Sequence, residues 1–261
     1  MEALGYAAAV VVGFILGLLG GGGSILSIPI LVYLFDIEPV RASAYSLFLV
    51  GVTSLVGTIP KYRDHRVNLR TGLLFGIPSI IAIFATRKWV VPMIPDPIAS
   101  FGEVMLTKRL FLLGLFAVLM ILAAVPLIRG RKDIASTHPR FRTFLVFAEG
   151  TLIGFLTGLV GAGGGFLITP ALVFLTGLNF KTAVGTSLLV IAVNSLAGFI
   201  GDVLNYPMEW TFLLGITSLA VLGILLGNRF SRSVDSLTLR KAFGWFTLVV
   251  GTLILFVELA W

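Results

Sequence analysis

Hydrophobic and polar positions along this chain fall into long blocks. Apolar runs occupy roughly 3–19, 25–35, 42–60, 69–86, 110–128, 144–160, 166–177, 182–201, 210–227 and 241–259, with the charges gathered between them. A helix needs about 20 apolar residues to cross a bilayer. Most runs therefore predict spanning helices, but the first two of each half fall short. Between the short runs stands glycine. Leu18-Leu19-Gly20-Gly21-Gly22-Gly23-Ser24, followed by Ile28-Pro29, recurs as Leu159-Val160-Gly161-Ala162-Gly163-Gly164-Gly165, followed by Thr169-Pro170. Each short pair predicts a broken helix or hairpin with irregular backbone at depth. A membrane tolerates such backbone only where it is buried in protein or lines a water-filled cavity.

The halves align at one constant spacing. Gly13-Phe14 matches Gly154-Phe155, Pro29 matches Pro170, Leu31-Val32 matches Leu172-Val173, Ser46-Leu47 matches Ser187-Leu188, and Ser54-Leu55-x-Gly57 matches Ser195-Leu196-x-Gly198. Leucines coincide by chance in hydrophobic sequences; glycine, proline and serine at fixed spacing do not. The expectation is a duplication: a first repeat over 1–128, a basic linker over 129–143 and a second repeat over 144–261. Five runs per repeat, an odd number, demand that the repeats be inverted. Charge agrees. The connection Lys61–Arg70 carries Lys61, Arg63, Arg66 and Arg70, whereas its counterpart 202–209 has no Lys or Arg, so the positive-inside rule places them on opposite faces. Arg129–Arg142 and Arg229–Lys241 come out cytoplasmic and both termini external. The segment 87–109 is then external despite Arg87, Lys88, Lys108 and Arg109, and Trp89 with Pro92, Pro95 and Pro97 predicts a loop along the interface. Parity is compatible with short pairs that re-enter and with pairs that cross twice.

Composition narrows the classes. Hydrophobic residues make up 57% of the chain and charged ones 12%, too little polar surface to coat a water-soluble fold. The formal charge of +7 sits in short segments between apolar runs, which reads as topology rather than nucleic-acid binding. No cysteine is present, which excludes disulfides and thiolate chemistry. Met1-Glu2-Ala3-Leu4 lacks a basic n-region, so the first run is expected to remain in the protein. His65 and His138 lie in basic loops without ligand partners, and no nucleophile–base pair or GxSxG occurs. Neither an enzyme, nor a metal site, nor a cofactor is expected.

The glycine runs are the leading candidate site. Glycine lets backbone leave the helix and turn its N–H groups toward a ligand. The helices that follow begin with unpaired N–H groups and the positive end of a dipole, which favours an anion. Gly20–Ser24 lacks the lysine of a phosphate-binding P-loop. Candidate substrate-binding residues are Gly20, Gly21, Gly22, Gly23, Ser24, Gly161, Ala162, Gly163, Gly164 and Gly165, joined by Ser46, Ser187 and Asn194. The wider polar set, Ser43, Tyr45, Thr53 and Ser54 against Thr186 and Ser195, reads equally as interhelical hydrogen bonding. Isolated glycines such as Gly51 and Gly114 are expected to serve helix packing. No ionisable residue is expected in the middle of an apolar run. Glu149, about six residues into its run, is either a proton relay or an interfacial group.

Gly13-Phe14-x-x-Gly17-Leu18-x-Gly20-x-Gly22-Gly23 and Gly154-Phe155-x-x-Gly158-Leu159-x-Gly161-x-Gly163-Gly164, each leading to a proline, resemble the paired motifs of the sulfite exporter TauE/SafE permeases. The Ala42–Ser46 and Ala183–Ser187 segments belong to the same resemblance, which covers essentially the whole chain. It implies a multi-pass protein of the cytoplasmic membrane that moves sulfur-containing anions, sulfite or organosulfonates, without ATP. The expected whole is an all-α integral membrane protein of two inverted repeats, working by alternating access. An anion channel using the same helix N-termini is the alternative. Expected partners are a small anionic sulfur compound and the lipid bilayer, with a homodimer left open.

Overall fold

The computed structural model describes residues 2–101, 104–129, 139–160, 164–176, 178–205 and 207–260. Its helices follow the apolar runs: α1 Glu2–Leu19, α2 Ser24–Leu34, α3 Pro39–Arg63, α4 Leu69–Met93, α5 Lys108–Arg129, α6 Pro139–Val160, α7 Gly165–Thr176, α8 Phe180–Val203, α9 Trp210–Phe230 and α10 Ser236–Ala260. Among the described residues six of these are long and apolar enough to cross a membrane, which makes this a multi-pass membrane protein. The linker residues 130–138, with His138, lie outside the described residues.

Local chemistry sets the helix ends. Asn68 and Asn179 cap α4 and α8, their side chains accepting from the backbone N–H of Thr71 and Thr182 at 3.0 and 2.9 Å. Pro39 opens α3, where its missing N–H costs nothing. Pro29 interrupts α2, which passes from α-helix into a π-turn over Ile30–Leu34.

The segment after residue 86 differs from the expected interfacial loop. A π-turn at Thr86–Val90 carries α4 on to Met93 and takes Arg87 into the interior. The remainder forms a small antiparallel hairpin, β1 Ala99–Phe101 with β2 Val104–Leu106, the one β element among the described residues. The fold is therefore helical, as expected, with one short hairpin between α4 and α5.

Glycines fix the helix directions by bringing backbones together. Gly13 and Gly17 of α1 lie against Ala220 and Ile224 of α9, while Gly57 of α3 also meets Ile224. Gly150, Gly154 and Gly158 of α6 lie against Phe75, Ser79 and Thr86 of α4, and Gly72 and Gly76 of α4 face Thr186 and Val190 of α8. Helices α1, α3 and α9 thus run one way and α4, α6 and α8 the other. Each trio borrows one helix from the other half of the chain. The trios meet where α3 crosses α8 antiparallel, Gly51 against Leu196 and Gly198 against Leu47. Helices α3 and α8 form the centre, 72% buried against 33–39% for the other long spans. Gly51 packs as expected; Gly114 has no neighbour within 4 Å and contributes no packing contact, because α5 turns that face outward.

Candidate functional site

The first break begins at Gly20, which leaves α1 with a left-handed φ of +72° that favours glycine. A side chain there would also strike Val184. A single 3₁₀ turn, Gly21–Gly23, then reverses the chain into α2. Gly23 packs on Val12 and Leu16, and Phe35 returns to Gly5 and stacks edge-on against Tyr6 at 5.5 Å. Helices α1 and α2 therefore form a hairpin that leaves by the face it entered. The second break ends at Gly164, also left-handed at +68°, from which α7 starts. Gly161, Ala162 and Gly163 lie outside the described residues.

The two breaks touch. Gly21 and Gly165 meet backbone to backbone so closely that a β-carbon on either would overlap the other, and Gly165 also packs on Ile191 in the middle of α8. Because α1 and α6 run in opposite directions, the hairpins enter from opposite faces. Tips that enter from opposite faces and meet cannot both lie at a surface, so the short pairs re-enter rather than cross twice. Gly20, Gly21, Gly23, Gly164 and Gly165 are all buried, and Gly22 sits within the same turn.

The expected hydroxyls split into two groups. Ser24, Ser46 and Ser187 are engaged. Ser24 Oγ donates to Gly21 O at 2.7 Å, and Ser46 pairs with Ser27 at 2.6 Å. Thr169 donates to Ser187 at 2.9 Å, and Ser187 donates to Val184 O at 2.9 Å. The Ser27–Ser46 and Thr169–Ser187 bonds tie each re-entrant helix to its inner spanning helix, α2 to α3 and α7 to α8. Asn194 donates through Nδ2 to Ser79 at 2.6 Å, but its Oδ1 has no partner. Thr53 and Ser54 on α3, Ser195 on α8 and Thr157 on α6 are buried with unpartnered hydroxyls. Buried polar groups are nearly always paired, so the free donors and acceptors of Thr53, Ser54, Asn194 and Ser195 on α3 and α8, with Thr157 beside the second break, can serve a polar solute. One Glu149 carboxylate oxygen is likewise buried without a partner.

The reading of an interior without ionisable groups is overturned. Arg87 and Asp202 form a fully buried ion pair: Nε donates to Asp202 Oδ2 at 2.9 Å, Nη1 to Gly158 O at 3.2 Å, and Nη2 to Ser43 at 2.7 Å and again to Asp202. The guanidinium thereby clamps α3, α4, α6 and α8 beside the second break. At the opposite end Lys61, read from sequence as a topology signal, is only 5% exposed and donates to Ser231 at 2.6 Å. Asn228 donates there to Gly57 O at 3.0 Å. The sequence signal for Arg87 was the lack of any glycine or proline stop between residue 79 and Pro92.

At the open end of the first hairpin a cavity of 630 Å³ is lined by Tyr33, Asp36, Arg109 and Glu258, among others. Glu258 there accepts from Tyr33 at 2.7 Å and pairs with Arg109 at 3.2 Å. No group of acidic or histidine side chains that could hold a metal ion occurs among the described residues.

The sequence matches the family described as Sulfite exporter TauE/SafE over residues 5–254. A probable membrane transporter protein of Xylella fastidiosa (strain 9a5c) is 32% identical over 250 residues, covering 92% of this chain and 89% of that protein. The probable membrane transporter protein YdhB of Bacillus subtilis is 28% identical over 247 residues, covering 94% and 96%. A probable membrane transporter protein of the archaeon Methanocaldococcus jannaschii is 28% identical over 223 residues.

Proposed function

Since the chain belongs to the sulfite exporter TauE/SafE family of membrane transporters, not enzymes, we propose that it is a secondary carrier of small sulfur-containing oxyanions, sulfite or a short organosulfonate. The observation that carries this reading is the meeting of two glycine breaks, from opposite faces, inside the protein core. Each break frees main-chain donors at the start of a helix, and compact S–O groups suit such donors together with hydroxyls. The unpartnered Thr53, Ser54, Ser195 and Thr157 lie on the helices around the breaks and supply those hydroxyls. Substrate-binding roles fall to Gly20–Ser24 and Gly161–Gly165 with Asn194, while Ser46 and Ser187 hold the re-entrant helices in place.

Two inverted repeats, 1–128 and 144–261 around the linker 129–143, account for the opposite entry of the hairpins and for the exchange of α4 and α9 between trios. Alternating access then comes from rocking one trio against the other, with the glycine breaks as hinges. Direct contact of the tips favours a carrier over the channel alternative, which needs a continuous pore. Thermal-shift titration of the purified protein with sulfite, sulfate, thiosulfate, taurine and sulfoacetate tests the substrate class. Stabilisation by sulfite or a sulfonate supports the reading; no response to any anion counts against it. Saturable flux with counterflow marks a carrier, whereas unitary currents mark the channel.

A further inference from the structure

Lys61 is a cation inside the protein without a counter-ion. It is 5% exposed, and no carboxylate lies within 4 Å of its ammonium among the described residues; the Ser231 hydroxyl occupies one of its three donors. The charged groups around it are Arg66, Asp64, Arg232 and Lys181. Asp64 is the one acid of that set, and it is already paired with Arg232 at 3.0 Å. Arg66 adds a second donor in want of a partner: its Nη1 is buried without a hydrogen bond, and its backbone N–H donates to Lys61 O at 2.9 Å. Both residues close over Gly185, a β-carbon there lying 3.3 Å from Lys61 Cβ and overlapping the Arg66 carbonyl. The next residue back, Val184, is the one that covers Gly20 at the first break.

Buried charge is retained in proteins when something neutralises it. Here the described residues supply excess cations and no free carboxylate. The geometry points to an anion-loading site formed by Lys61 and Arg66 on the basic face, one residue removed from the first glycine break. Its ligand is a small oxyanion able to take the free N–H donors of both groups. The site rests on the transport reading and deepens it, giving the solute a charged station before the neutral donors of the breaks. Burial of Lys61 selects a free anion over a lipid headgroup.

The test uses the full chain in phosphatidylcholine micelles and vesicles, with sulfite as the probe, and reads both the half-maximal concentration for thermal stabilisation and the KM for flux. Lys61→Gln is expected to raise both about ten-fold, Lys61→Arg to stay near wild type, and Arg66→Gln to raise both about three-fold. Arg63→Gln, an exposed neighbour in the same basic segment, leaves them unchanged. If Lys61→Gln is not recovered folded, Arg66→Gln carries the test. Unchanged sulfite dependence in Lys61→Gln and Arg66→Gln, with wild-type transport intact, overturns the site alone. Stabilisation that depends on Lys61 but requires phosphatidylglycerol instead of sulfite overturns it in favour of a lipid. A wild-type protein that neither binds nor moves sulfite overturns the transport reading and this site with it.

Discussion

The two ends of the central helix pair carry different chemistry at equally spaced positions. The spacing that relates Gly20 to Gly161 also relates Lys61 to Asp202 and Arg87 to Asn228. At one end Arg87 bonds Asp202, Ser43 and the Gly158 carbonyl. At the other, Asn228 bonds the Gly57 carbonyl and Lys61 bonds Ser231, with no acid paired to Lys61 among the described residues. One end is a closed ion pair; the other holds a buried ammonium whose hydrogen-bond partner is the neutral Ser231 hydroxyl. Equally spaced positions can thus carry a lock at one end and, on our proposal, an anion site at the other, through a few side chains.

Labelling gives the largest contrast between the two ends, because its outcome is all or none. In this cysteine-free protein, Arg63→Cys and Asn205→Cys, both exposed, should react with a membrane-impermeant thiol reagent from opposite sides. Labelling from one side would collapse the two ends onto one face. Next comes the lock. Asp202→Ala leaves Arg87 buried without its partner and should cost about 3–5 kcal/mol, read as a lowered Tm in detergent, while a double Arg87→Met/Asp202→Leu variant recovers most of it. Ser43→Ala removes one bond to the charged guanidinium, worth about 1.5–3 kcal/mol. The smallest effect on stability belongs to Lys61→Met, which removes an uncompensated charge and should leave Tm level or higher. A fall as large as that of Asp202→Ala would mean that the two ends are not different in kind.

Much of this fold was legible in the sequence, since helix length and hydrophobic block length are set by the same bilayer. Among the described residues all ten helices coincide with apolar runs, and the glycine clusters mark the two re-entrant tips. Pairing across long separations was not legible. Arg87 and Asp202 each stand just beyond an apolar run, where a charge normally reaches water, and each is 115 residues from the other. The stretch from residue 79 to Pro92, free of glycine and proline, allows α4 to continue, but it does not announce the π-turn that turns Arg87 inward or that α8 keeps its last turn inside. Lys61 looked like one more basic loop residue for the same reason. Ser46 and Ser187 were found by symmetry and Ser24 by its place at the end of the glycine run, yet neither signal says whether a hydroxyl faces a solute or a neighbour. The glycines of the paired motif also divide. Gly13, Gly17, Gly154 and Gly158 serve backbone packing against α9 and α4, and Gly20, Gly21, Gly164 and Gly165 form the breaks.

The central claim is that an anion crosses where the breaks meet, and glycine variants in a flux assay test it most directly. Sulfite counterflow is measured in proteoliposomes for Gly21→Ala and Gly165→Ala, against Gly114→Ala and Gly215→Ala, where a β-carbon meets nothing within 4 Å. The account predicts saturable counterflow in wild type and in both control variants, and its loss in Gly21→Ala and Gly165→Ala with membrane insertion preserved. Wild-type counterflow in Gly21→Ala and Gly165→Ala would contradict it and move the pathway elsewhere.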